Sequence, residues 1–101
     1  MTRYRLTPRA RQGLTEILDY VAREFGTDAA EAVLDRLVEA FDLIAHQPGV
    51  GHVREDITDD RTVRFWSVAP TLIAYRASAD LVEVLIVERG ERDWPQFFCH
   101  G

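Results

Sequence analysis

The hydrophobic period of this chain changes once, from helical to extended, near residue 61, and that switch confines it to an α+β layout. Before the switch, Ala30, Val33, Leu34, Leu37, Val38, Phe41, Ile44 and Ala45 recur at the spacing of one helix face. An earlier set, Ala10, Leu14, Ile17, Leu18, Val21 and Phe25, does the same. Thr7-Pro8 starts that first helix: the hydroxyl accepts from an orphan backbone N–H, and proline has none to leave unpaired. Gly26 stands where a left-handed residue ends a helix, Thr27 or Asp28 is the cap of the second helix, and Pro48 with Gly49 and Gly51 closes it. So short a linker makes the pair an antiparallel hairpin. Gly13, inside the first helix, reads as a cost of about 1 kcal/mol relative to alanine.

Past the switch, TVRFWSV and LIAYRA alternate with period two, LVEVLIVERG is apolar throughout, and APT and SAD supply turns. These predict three strands in an antiparallel meander. Val82, Val84 and Ile86 on one side, with Leu81, Leu85 and Val87 on the other, make the last strand central and covered on both faces. YRLT, ahead of Pro8, adds a short first strand returning to a sheet edge. The expectation is a single α+β domain over residues 1–101: β-α-α-β-β-β, an antiparallel sheet with a two-helix hairpin packed on one face. Residues 49–61, GVGHVREDITDDR, form a loop long enough to suggest binding or mobility. The tail, residues 91–101, is read as room for a turn of helix or for partial disorder, with Trp94 folding back to plug the core. On this reading, truncation from Arg92 onward leaves the rest of the body able to bind a partner.

Composition narrows function. The chain has 12 arginines, no lysine and a net charge of −5, so no whole-molecule attraction to nucleic acid is expected, though a local basic site stays open. No apolar run has membrane-spanning length and no signal pattern opens the sequence, which predicts a cytoplasmic protein without a membrane partner. Cys99 is the single cysteine, and His46 and His52 read as loop histidines; no metal or organic cofactor is expected. Phosphate-loop, nucleophile-elbow and zinc signatures are missing. What stands out is Arg61, Arg64, Arg76, Arg89 and Arg92 in the sheet half. Singly, each reads as a half-exposed residue paired with Asp80, Glu83, Glu88 or Glu91. Together they can grip phosphates or carboxylates bidentately. Trp66 shares the parity of Arg64, which sets an aromatic beside a cation in an interaction patch.

Three stretches, YRLTPRARQGLTEILDYVAREFG, LVEAFDLIAHQPGVGHVRE and LIAYRASADLVEVLIVERGERDWPQFF, span nearly the whole chain. Their Tyr-x-Leu-(Ser/Thr)-x-x-Ala start, Phe-x-x-Ile-x-x-x-Pro-x-x-Gly helix exit and Tyr-Arg…Gly-x-Arg-Asp ending resemble the RelE/ParE superfamily of bacterial type II toxins. The RelE branch resembles a ribosome-dependent mRNA endonuclease: a basic residue opens the penultimate strand, an arginine follows the last, and a Tyr or His in the tail moves protons. Aligned on Gly90, this chain keeps the arginine as Arg92 but has Leu72 and Phe98 at the other two places. Phenylalanine transfers no proton, and His100 substitutes only by folding back.

The ParE branch is the closer likeness. It implies a binding protein with no catalytic residues, which inhibits DNA gyrase and stalls its cleaved-DNA complex, with no direct sequence-specific nucleic-acid binding. It also implies a cognate ParD-like ribbon-helix-helix antitoxin that wraps the toxin with an amphipathic C-terminal segment. Carried onto this sequence, the target contacts are Arg64, Arg76, Arg89, Arg92 and Trp94, and the antitoxin contacts are Leu14, Leu18, Val38, Phe41 and Trp66. Two alternatives accompany this: a RelE-like endoribonuclease, and an inactive relative acting only as co-repressor with its antitoxin.

Overall fold

The computed structural model describes residues 3–99. The Thr7 hydroxyl accepts from the Ala10 N–H at 3.1 Å, and α1 runs Pro8–Phe25 behind that cap. Gly26, at φ +96°, ends α1 by donating to the Ala22 carbonyl and is at once the N-cap of α2, Thr27–His46. A link of one residue leaves no separate capping position, so the expected side-chain cap from Thr27 or Asp28 is replaced by a glycine backbone.

The strands are β1 (Tyr4–Leu6), β2 (Val63–Val68), β3 (Thr71–Ala77) and β4 (Val82–Arg89), and they lie in the order β1-β4-β3-β2. The element order and the α+β class are those read from the sequence. β2, β3 and β4 form the antiparallel meander, while β1 joins the β4 edge in parallel, so the sheet is mixed. No turn joins β1 to its neighbour; the whole intervening chain does, and only packing decides that strand's direction.

Strand β4 is central, between β1 and β3, but its faces are not divided by simple parity. Ala74 pairs with Ile86 and Tyr75 with Val84, so Leu85 is an extra residue at a bulge. Val82, Val84 and Val87 therefore join the helix-side core, with Leu37, Phe41, Ile44, Ile73 and Tyr75. Ile86 turns to the far face. The assignment of Ile86 to the side of Val84, and of Val87 to the other, is corrected by this one inserted residue.

The far face carries its own core of Ile57, Val63, Phe65, Leu72, Ala74, Ile86 and Trp94. No helix of the hairpin covers it; the 49–61 segment and the tail do. His52 bridges to the outer edge of Phe65, Ile57 is buried, and Arg54 is bonded to Asp56 at 2.8 Å. Beside it, the buried Tyr75 hydroxyl accepts from the Gly51 N–H at 2.8 Å and donates to the Pro48 carbonyl at 2.6 Å. The 49–61 segment, whose length suggested binding or mobility, is held to the body at these points.

In the tail, α3 spans Trp94–Phe97, Trp94 is 2% exposed, and Phe97 and Phe98 pack beside it. Trp94 plugs the far core as expected. A cut at Arg92 would take Trp94 out of the cluster it shares with Phe65, Leu72 and Ile86. Among the described residues no helix is long and apolar enough to cross a membrane.

Candidate protein-docking site

Strand β4 runs out of sheet at Arg89, and the chain turns through Gly90 into the tail. The Gly90 N–H donates to the Pro70 carbonyl at 2.8 Å, and Trp94 Nε1 donates to the Arg89 carbonyl at 2.9 Å. These bonds fix the turn that carries Arg89 and Arg92. Helix α1 lies along the same end of β4, and Gly13 makes that possible: a Cβ there would stand 2.0 Å from the Val87 carbonyl oxygen. The close approach brings Arg9, from the first turn of α1, to the same place.

Three half-exposed guanidiniums gather here, each backed by an aromatic ring. Arg9 lies 4.8 Å and Arg92 5.7 Å from the Phe97 ring centre, and Arg89 lies 5.2 Å from that of Tyr20. Phe97 is held edge-on by Trp94 at 5.2 Å, and Trp94 by Phe65 at 5.9 Å, so the platform is rooted in the far core. Arg89 pairs with Glu91, and Glu88 accepts from Arg92 and pairs with Arg9, each at 3.2 Å. Beside Arg89 opens an apolar cleft of about 420 Å³ between the two helices and the β2–β3 turn, with Tyr20, Val21, Phe25, Val33 and Pro70 in its walls. Phe25 is 70% exposed at its mouth.

The residues singled out from the sequence do not form one surface. Arg89 and Arg92 share this end of the sheet. Arg76 lies at the opposite end of β3, about 17 Å away by strand rise, where it binds Asp60 at 3.0 Å and Thr62 at 3.1 Å. The Asp60 carboxyl is held below its ordinary value by the Thr62 hydroxyl and N–H and then by Arg76. Arg64 turns to the helix face and donates to the Gly51 carbonyl at 2.9 Å. Arg61 pairs with Glu55. Trp94 is buried and supports the platform without reaching its surface.

Of the residues named for an antitoxin, Phe41 is 1% exposed and belongs to the core, where it packs on Tyr4 at 5.3 Å. Leu14, Leu18 and Trp66 are half-buried, and Val38 alone of the five is exposed. None of them lines the cleft. Among the described residues the large apolar side chains left exposed are Tyr20, Phe25 and Val38, and of these Tyr20 and Phe25 line the cleft. Arg9, Tyr20 and Glu88 went unread as site residues because only the contact of α1 with the β4 edge makes them neighbours. Phe98, where the nuclease branch has its tail Tyr or His, packs edge-on against Phe65 at 5.9 Å. His100 lies outside the described residues. Among the described residues no group of three His, Cys, Asp or Glu side chains is placed to hold a metal.

Guanidiniums keep their protons at neutral pH, so this face attracts and orients anionic groups without exchanging protons. Set beside an apolar cleft and backed by aromatics, it has the composition that protein-docking surfaces have. Over residues 4–94 the chain matches the model of the ParE toxin of type II toxin–antitoxin systems, parDE, and it belongs to that family. Among solved structures it is similar to a chain of the chromosomal ParDE toxin–antitoxin system from P. aeruginosa. That match has 20% identity and a TM-score of 0.74, and covers 90% of this chain and 98% of the other. A conserved hypothetical protein from Helicobacter pylori aligns over 91% of this chain and 98% of its own, with 13% identity and a TM-score of 0.49. No curated protein sequence matches significantly.

Proposed function

We propose that this ParE-family toxin arrests growth in the cytoplasm by docking on DNA gyrase through the arginine face at the end of β4. A ParD-like ribbon-helix-helix antitoxin neutralises it, laying an amphipathic, acidic segment into the cleft of Tyr20 and Phe25. The observation that carries this reading is the trio of Arg9, Arg89 and Arg92, each half-exposed on an aromatic ring beside an apolar cleft. Arginine and tyrosine next to apolar surface are the residues that dominate protein interfaces. The family match and the likeness to the P. aeruginosa ParDE structure support an antitoxin as partner.

Mechanistically, the toxin supplies no bond-making group. It acts by binding: its cations pair with carboxylates on the target's surface, and the apolar rim beside them excludes water. Phe98 favours docking over RNA cleavage, since its position offers no proton donor. The test is supercoiling of relaxed plasmid by purified gyrase. Toxin should abolish supercoiling and accumulate cleaved DNA, and added antitoxin should restore activity. Undiminished supercoiling at micromolar excess refutes the gyrase target, and codon-positioned cuts in messenger on translating ribosomes would move the chain to the nuclease branch.

A further inference from the structure

Among the described residues, Glu88 is the one charged side chain that is buried, at 3% exposure. It stands on a strand whose other buried positions, on its two faces together, are Val82, Val84, Ile86 and Val87. An apolar side chain in such a place is commonly as stabilising as a buried ion pair or more so, because a carboxylate loses its hydration on burial. What Glu88 does that a valine cannot is hold two cations. Its Oε2 lies 3.2 Å from Arg9 Nη1, and its Oε1 accepts from Arg92 Nη1 at 3.2 Å. One arginine comes from the start of α1 and the other from the turn beyond β4, and both then lie over Phe97. Without the carboxylate between them, two like charges would share one ring and swing apart into solvent.

We propose that Glu88 is a positioning residue of the docking face: it sets the spacing of Arg9 and Arg92 before the target arrives. This inference rests on the docking reading and adds the residue that preorganises it. The partner it fits is an acidic protein surface, able to engage both guanidiniums at once. Holding two long side chains in place ahead of binding is worth roughly tenfold in affinity.

The experiment compares wild type, E88Q, R9Q, R92Q and the double variants E88Q/R92Q and R9Q/R92Q. Growth arrest on induction and gyrase supercoiling are the functional readouts; the urea midpoint and antitoxin affinity are the controls. E88Q should raise the inhibitory concentration roughly tenfold, with antitoxin affinity within about threefold of wild type, because the cleft is not touched. E88Q/R92Q should lose less than the product of the two single losses, since part of what Glu88 does acts through Arg92 and the rest through Arg9. If E88Q does not fold, R9Q and R92Q, both half-exposed, carry the test, and their losses must combine to less than their product. Wild-type potency in E88Q, or losses that multiply in the double variants, overturns the proposal. A wild-type chain that arrests growth while leaving gyrase untouched overturns the gyrase target alone, and the same comparison is then read from growth. Induction without growth arrest overturns both.

Discussion

Replacing Gly13 by alanine changes sign between an isolated helix and this protein. In a solvated helix interior the substitution gains about 1 kcal/mol, because glycine gives up more backbone freedom on folding. Here the new Cβ would stand 2.0 Å from the Val87 carbonyl oxygen, 3.2 Å from its carbon and 3.3 Å from Glu88 Oε2. The first obstacle is strand backbone, fixed by the β3–β4 ladder, so it does not yield as a side-chain tip would. Relief requires α1 to retreat by roughly 1 Å or more, which loosens the contacts of Ala10 and Ile17 with the helix-side core. Overpacking of this kind costs about 3 kcal/mol. Set against the helix gain, G13A should lose about 2 kcal/mol. Urea unfolding reads this directly: with a slope of about 1.5 kcal/mol/M, the midpoint falls by more than 1 M. Arg9 rides on the same helix, so the inhibitory potency of the folded fraction should drop as well. A G13A protein as stable as wild type, or more so, would show that α1 does not press on the β4 edge.

Three further outcomes follow from the geometry. W94A should lose about 4 kcal/mol, because it empties the far core beneath Phe65 and Phe97, whereas W94F, which forfeits the bond to the Arg89 carbonyl, should lose nearer ~1 kcal/mol; equal urea midpoints for the two would refute the tail's place in the core. Asp60 favours its ionised form on folding, so its contribution is complete above the unfolded pKa of about 3.9 and is lost as pH falls through the lower folded value; D60N should flatten the decline of the urea midpoint below about pH 4, and an unchanged decline would count against the Thr62 and Arg76 contacts. F25E, at a side chain 70% exposed, should leave stability unchanged while weakening antitoxin binding in calorimetry by about tenfold or more, and undiminished affinity would exclude the cleft.

Much of the fold was legible in the linear pattern because helices and strands are local events. The Thr7-Pro8 start, the Gly26 break and the change of period fall where the described elements begin and end. Register was less legible. Parity divides a strand between two faces only while the strand is regular, and the extra residue Leu85 sends Ile86 and Val87 to sides that alternation assigns the other way. The candidate site was half visible. Arg89 and Arg92 stand out by count and neighbourhood, but Arg64 and Arg76, read with them, lie on other surfaces and are engaged by Gly51 and Asp60. Phe41 shows the same limit: an apolar stripe does not reveal which of its members face the core.

By itself the sequence determined the main elements, their order and the break at Gly26, since each depends on residues within a turn or two of one another. Tertiary structure alone decided that β1 joins in parallel, that Gly13 is a point of contact and not a weakness, and that Arg9, Glu88, Arg92 and Phe97 meet. The reason is distance along the chain: Arg9 and Glu88 are joined only through the packing of α1 on β4, and no local rule of propensity or period spans that gap.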